Sequence, residues 1–230
     1  MPSKNTVREY LKNGVYHVYN RGINKQNIFL NDHDYSTFLF YLKLYLDDPE
    51  KLKDLDPQKR HYLSRKSFYG KVELLCYCLM SNHFHLILKQ KGEKDISEFM
   101  RCVTLNYSMC FNDKRKRVGP LFQGKYKAVL VKNDEYLLHL SRYIHLNPFA
   151  KVPNLGGNLG GKNKVADYTY SSCVNYLGKK KSSWLQPKLI LDYFEENKDK
   201  DITINKSSYK KFMKDYSDES KEILKDLILE

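Results

Sequence analysis

Several features that this 230-residue chain lacks narrow its reading first. It has no run of the roughly 18 uninterrupted apolar residues that a membrane-spanning helix needs, so no membrane association is expected. The start Met1-Pro2-Ser3-Lys4 leads into a polar stretch rather than the apolar segment of a signal peptide, and the expected location is the cytoplasm. Cysteine is sparse. Cys76, Cys78, Cys102, Cys110 and Cys173 make an odd number, and none has the C-x-x-C spacing of zinc ribbons or thioredoxin-like sites. Reduced, structural thiols are expected. The G-x-x-x-x-G-K-[ST] phosphate loop is missing, so no nucleotide cofactor is expected. Internal repeats are also absent.

Acidic residues are the other shortage. Lys and Arg number 40 against 27 Asp and Glu, a net charge of +13, and the sequence pI is near 9.3. Such a balance favours a polyanionic partner. The excess is uneven. From Lys179 to Glu230 the 12 basic residues are nearly matched by 11 acidic ones, so the positive charge belongs to residues 1–178. Between Arg101 and Lys132 the basic residues Arg101, Lys114, Arg115, Lys116, Arg117, Lys125, Lys127 and Lys132 face a single acid, Asp113. All of these but Lys132 are taken as candidate phosphate contacts. Phe122 and Tyr126, interleaved among them, are candidates for stacking on exposed bases, with a core position for Phe122 as the alternative.

Hydrophobic periodicity supplies the elements. Gly14 to Tyr19 alternates and is rich in aromatic and β-branched residues, which predicts a strand ending at the turn Asn20-Arg21-Gly22. From Asp32, taken as the N-cap, Tyr35, Phe38, Leu39, Leu42 and Leu46 recur at helical spacing. Residues 47–70 are charged and aperiodic, an expected surface insertion. Val72 to Met80 and His83 to Leu88 read as a hairpin around Ser81-Asn82. Ile96, Phe99, Val103, Tyr107 and Cys110 line one face of a second helix, Lys125 to Val131 forms another strand, and Asn133-Asp134 caps a third helix that ends near Leu146, before Pro148. The order β-α-β-β-α-β-α predicts an α+β fold, the ferredoxin-like split βαβ sandwich: an antiparallel sheet with helices on one face, plus an added helix. A glycine-rich loop at 156–161 and helix-like segments at 186–197 and 206–229 follow. The division expected is a domain at 1–178 and a small helical extension at 179–230.

Two patterns carry chemistry. In His83-Phe84-His85 the period of a strand puts both imidazoles on one face, where they can chelate one metal ion. On the third helix Tyr136, His139, Tyr143 and Asn147 share an arc of roughly 80° beside the apolar arc of Leu137, Leu140 and Ile144. A phenol and an amide one turn apart can meet the same metal-bound phosphate. Mixed imidazole and amide ligation suits Mg²⁺ or Mn²⁺ better than a closed zinc site.

Ser81-Asn82-His83-Phe84-His85, the segment Gly119-Pro120-Leu121-Phe122-Gln123-Gly124-Lys125-Tyr126-Lys127, Arg142-Tyr143-Ile144-His145-Leu146-Asn147-Pro148 and Tyr170-Ser171-Ser172 together resemble the single-tyrosine HUH transposases, with the REP-associated tyrosine transposases as the nearest branch. The resemblance spans about residues 14–176 in order. It implies that His83, His85 and Asn147 are metal ligands and Tyr143 is the nucleophile. It also implies cleavage of single-stranded or hairpin DNA through a 5′-phosphotyrosine, by a monomer or homodimer. Asn147 stands where the insertion-sequence branch usually carries Gln. The insertion at 47–70 and the tail after 178 depart from a minimal domain of this kind. Two rival readings use fewer of these residues: a non-catalytic basic module gripping structured DNA or RNA, which needs no Tyr143, and a metal-storage protein, which needs no DNA.

Overall fold

In the computed structural model, residues 10–52, 66–149, 168–196 and 206–214 are described. Strand β1 (Val15–Arg21) leads through a short 3-10 turn into helix α1 (Asp32–Leu46). Strands β2 (Val72–Met80) and β3 (His83–Gln90) form the hairpin, followed by helix α2 (Asp95–Lys114), strand β4 (Lys127–Leu130) and helix α3 (Asp134–Leu146). A helical turn, α4 (Cys173–Tyr176), and two helices, α5 (Lys188–Glu196) and α6 (Lys206–Lys214), complete the described elements. The strands pair antiparallel in the order β2-β3-β1-β4, with a bulge in β2 between Leu74 and Cys76. This is the ferredoxin-like arrangement expected from the sequence.

Alternation along each strand separates two cores. Tyr16, Val18, Tyr77, Leu79, Phe84, Leu86 and Leu88 face α1 and α2, which contribute Phe38, Leu42, Phe99, Val103 and Tyr107. The opposite parity, Cys76, Cys78, Met80 and Ile87, faces α3 and the C-terminal helices. Leu137, Leu140 and Ile144 of α3 share that second core with Tyr176, Ile190, Phe194, Tyr209 and Met213. The described part of the tail therefore lies against the helix that carries Tyr143. Within the described residues no helix is long and apolar enough to cross a membrane, and the five cysteines are free thiols, with Cys76, Cys78 and Cys173 buried.

Three local expectations need correction. Asn31, not Asp32, caps α1, its side chain accepting from the Asp34 amide; Asp32 is the first helical residue, where a carboxylate suits the positive end of the helix dipole. On α2 the buried stripe is Ile96, Phe99, Met100, Val103, Tyr107 and Phe111, so Phe111 and not Cys110 completes it. Four residues beyond Tyr107 continues the stripe, whereas three turns toward solvent here. Strand β4 is shorter than expected, beginning at Lys127. The Asn133 cap on α3 is as expected, accepting from the Tyr136 amide at 2.8 Å. The glycine-rich loop at 156–161, most of the insertion at 47–70 and the later part of the expected helix 206–229 lie outside the described residues.

Candidate active site

The turn that launches β3 is held by the loop after β1. Gly22 donates to the Asn82 carbonyl at 2.8 Å, while Ile28 and Phe29 both donate to the Ser81 carbonyl. The Asn82 side chain donates to the Lys25 carbonyl. Gly22 is required here by close approach: a Cβ would come within 2.1 Å of the Gln26 carbonyl oxygen. Strand pairing then puts Cys78, His85, Tyr19 and Lys127 in one row across the sheet, with His83 opposite Arg21 and Met80 in the next. Period two directs both imidazoles to the face covered by α3.

His85 is fully buried. Its Nδ1 lies 2.8 Å from Nε2 of His17, and its Nε2 is buried without a hydrogen-bond partner among the described residues. The His83 ring stands edge-on at 5.1 Å between centroids, its Nδ1 2.6 Å from the Asn82 side-chain oxygen. From α3 the Tyr143 ring approaches His85 at 5.8 Å, nearly perpendicular, and retains 9% exposure. Burial, then the neighbouring His17 and His83, push the His85 pKa well below its usual value, and burial takes His17 down to about 3. Both rings are therefore neutral near pH 7, the form in which an imidazole can offer a lone pair to a metal.

These donors fit a divalent cation. A buried imidazole nitrogen without a partner is costly unless something else satisfies it, and a second imidazole stands beside it. Among the described residues no group of three His, Cys, Asp or Glu side chains gathers. Asn147 has helical backbone angles (φ −53°, ψ −40°), so the turn continues through it and its side chain shares the face of Tyr143 four residues earlier.

The other expected site residues are scattered. Arg101 and Lys125 meet around a cleft of about 370 Å³ with Asn20, Thr104 and Tyr126, on the α2 side of the sheet. Lys127 stands instead in the row of His85. Arg115 bonds the buried Asp34 carboxylate and lies over the Phe111 ring at 3.9 Å. Burial is the largest influence and raises the Asp34 pKa, but the bond to Arg115, the Leu30 amide and the charges of Arg115 and Lys114 together outweigh it and hold the carboxyl below its usual range. Arg117 donates to the Asn112 side chain and to the Gly119 and Pro120 carbonyls, shaping the loop. Lys114 and Lys116 project into solvent, Lys116 within 3.5 Å of Asp113. Phe122 and Tyr126 are both core residues, so the aromatic rings of this basic segment are largely spent on packing. His139, which shares the arc of Tyr143, bonds Arg142 at 2.8 Å and faces Phe212 of the tail.

Sequence reasoning missed His17 and His145. His17 has the same strand parity as Tyr19, and that alternation was its available signal. His145 is buried between Cys76, Ser172 and Tyr209, at 3.2, 2.8 and 2.8 Å, contacts between segments remote in sequence that no local pattern announces.

Residues 52–147 match the family described as transposase, IS200-like. In structure the chain is similar to a REP-associated tyrosine transposase bound to a REP hairpin, with a TM-score of 0.51, 16% identity, and coverage of 80% of this chain and 98% of that one. A protein from Deinococcus radiodurans R1 assigned as a transposase superposes at a TM-score of 0.35 and 14% identity, over 64% of this chain and 98% of that one. No curated protein matches in sequence. The matched stretch contains both imidazoles of β3 and the phenol of α3.

Proposed function

We propose that the protein is a metal-dependent single-strand DNA endonuclease and strand transferase, with Tyr143 as nucleophile and His83, His85 and Asn147 as metal ligands. The observation that carries this reading is the Tyr143 ring set edge-on against His85, whose buried Nε2 has no hydrogen-bond partner among the described residues. Mg²⁺ or Mn²⁺ held there supplies Lewis-acid stabilisation to the charge that develops at the scissile phosphate. The Tyr143 oxygen attacks phosphorus, forming a phosphotyrosine at the 5′ side. The bond to the 3′ oxygen breaks, and that oxygen leaves as a free 3′-OH carrying the proton the phenol gives up. One phosphodiester replaces another, so a second 3′-OH can reverse the step without a nucleotide cofactor.

The expected substrate is single-stranded or hairpin DNA, supported by the charge and by the hairpin bound to the similar solved protein. The exposed cations Arg101, Lys114, Lys116 and Lys125, together with Lys127, are the proposed phosphate contacts; Arg115 and Arg117 act by shaping the segment that presents them. The proposed assembly is a monomer or homodimer, with His85 and Tyr143 of one chain meeting at the site, and the proposed location is the cytoplasm. Incubating an end-labelled hairpin with the protein and Mn²⁺ tests the reading. The wild type should yield a covalent protein–DNA adduct, and Tyr143→Phe should bind the hairpin yet give none. An adduct that persists in Tyr143→Phe overturns the nucleophile, and a wild type that binds without an adduct favours the non-catalytic clamp.

A further inference from the structure

Both candidate ligand histidines have the same side of the ring already engaged. His83 Nδ1 faces the Asn82 amide oxygen at 2.6 Å, and an amide oxygen only accepts, so His83 carries its proton on Nδ1. For His85 the corresponding neighbour is His17 Nε2, 2.8 Å from Nδ1. His17 lies on an interior strand, fully buried, and its ring stacks on His85 at 20° and 5.0 Å between centroids. Its own Nδ1 has no hydrogen-bond partner. Across the pairing it stands opposite Ile87 on one side and Val129 on the other, surroundings in which an aliphatic residue would pack without a polar atom to satisfy. Among the described residues the one hydrogen-bonding contact of His17 is with His85.

We infer that His17 is a positioning residue for the metal site: it accepts a hydrogen bond from His85 Nδ1–H and so fixes His85 in the tautomer that presents the Nε2 lone pair. The inference rests on the reading of His85 as a ligand. An imidazole can bind through Nε2 only if its proton is on Nδ1, and an acceptor at Nδ1 selects that form and holds the ring plane. His17 can accept only if its proton sits on its own Nδ1, the nitrogen without a partner. Its burial cost is thus tied to the task. Asn82 does the same for His83 from the turn, so two different residue types reach the same result at the two ligands.

The test uses the full chain and three variants at one position, His17→Leu, His17→Gln and His17→Asn. Mn²⁺ binding is followed by the electron-spin resonance of the free ion. His17→Leu should bind Mn²⁺ about 10- to 100-fold more weakly, the range typical of lost outer partners. Its thermal unfolding should match or exceed that of the wild type, and an amide variant, which restores an acceptor, should recover much of the affinity. Nitrogen-15 spectra of the wild-type imidazoles should show His85 protonated at Nδ1. Wild-type affinity in His17→Leu overturns the inference while leaving the metal site standing, as does a His85 proton found on Nε2. A wild type that takes up no Mn²⁺ overturns the metal reading and the inference together. Should His17→Leu fail to fold, the tautomer in the wild-type spectrum decides.

Discussion

His85 and His145 are equally buried, face the same core from opposite walls and are both held neutral, yet they differ in their partners. Burial takes the His145 pKa down to about 3 and moves that of His85 in the same direction. At His145 both nitrogens are engaged: Nδ1 with the Tyr209 hydroxyl, and Nε2 with the Ser172 hydroxyl and the Cys76 sulfur. At His85 one nitrogen meets His17 and the other has no hydrogen-bond partner among the described residues. A buried histidine with a complete set of partners joins parts of the fold. One with an aimed but unmatched nitrogen is poised for something from outside. Burial and pKa alone do not separate the two; the list of partners does.

His85→Ala provides the largest contrast. It should cut adduct formation and Mn²⁺ affinity by more than about 100-fold, since loss of a direct ligand exceeds the effect of losing an outer partner, with thermal stability changing little by comparison. Quantifying the adduct alongside a melting curve would check this, and a variant that still cross-links at the wild-type rate would erase the distinction.

His145→Leu should do the reverse. It takes one partner from each of the buried hydroxyls of Tyr209 and Ser172, which keep Ser141 and the Tyr77 backbone, and should cost about 1–3 kcal/mol in all. For a chain of this size that corresponds to a fall in Tm of roughly 2–12 °C, while Mn²⁺ affinity per folded molecule stays near that of the wild type. Calorimetry paired with the metal titration measures both.

The smallest effect concerns the tail. Tyr209→Phe removes the hydroxyl that joins His145 and Ser141, the latter at 3.0 Å, and should cost about 1–2 kcal/mol. Adduct formation below the melting range should stay within about threefold of wild type, because the Arg142 contacts to Phe212, a hydrogen bond at 2.9 Å and a stacked guanidinium, still hold α6 against α3. A tenfold loss of activity without a change in Tm would instead make the tail part of the catalytic machinery.

The basic segment repeats the lesson. By composition Arg115 and Lys116 are alike, two neighbouring cations in a run of four. In the fold Arg115 neutralises Asp34, a carboxylate 81 residues away, whereas the Lys116 side chain is 87% exposed. Only the exposed one is suited to phosphate. Counting charge located the segment but could not divide it, because burial of an ion depends on which carboxylate the chain brings alongside. Likewise Phe122 and Tyr126 were legible as aromatics near cations, and packing against Phe84 and its neighbours committed them to the core.

Period two and period 3.6 were legible in the residues themselves, and they set which side chains share a face: His83 with His85, Tyr143 with Asn147, and the apolar stripes that build the two cores. Local capping chemistry likewise marked where α3 begins. These follow from backbone geometry within a few residues. The strand order, and with it the placing of His17 behind His85, of Tyr209 on His145 and of Arg115 on Asp34, was decided only by the tertiary structure. Those pairs lie 68, 64 and 81 residues apart. No local preference encodes such meetings; they arise because two amphipathic layers can bury their apolar faces together in only a few ways.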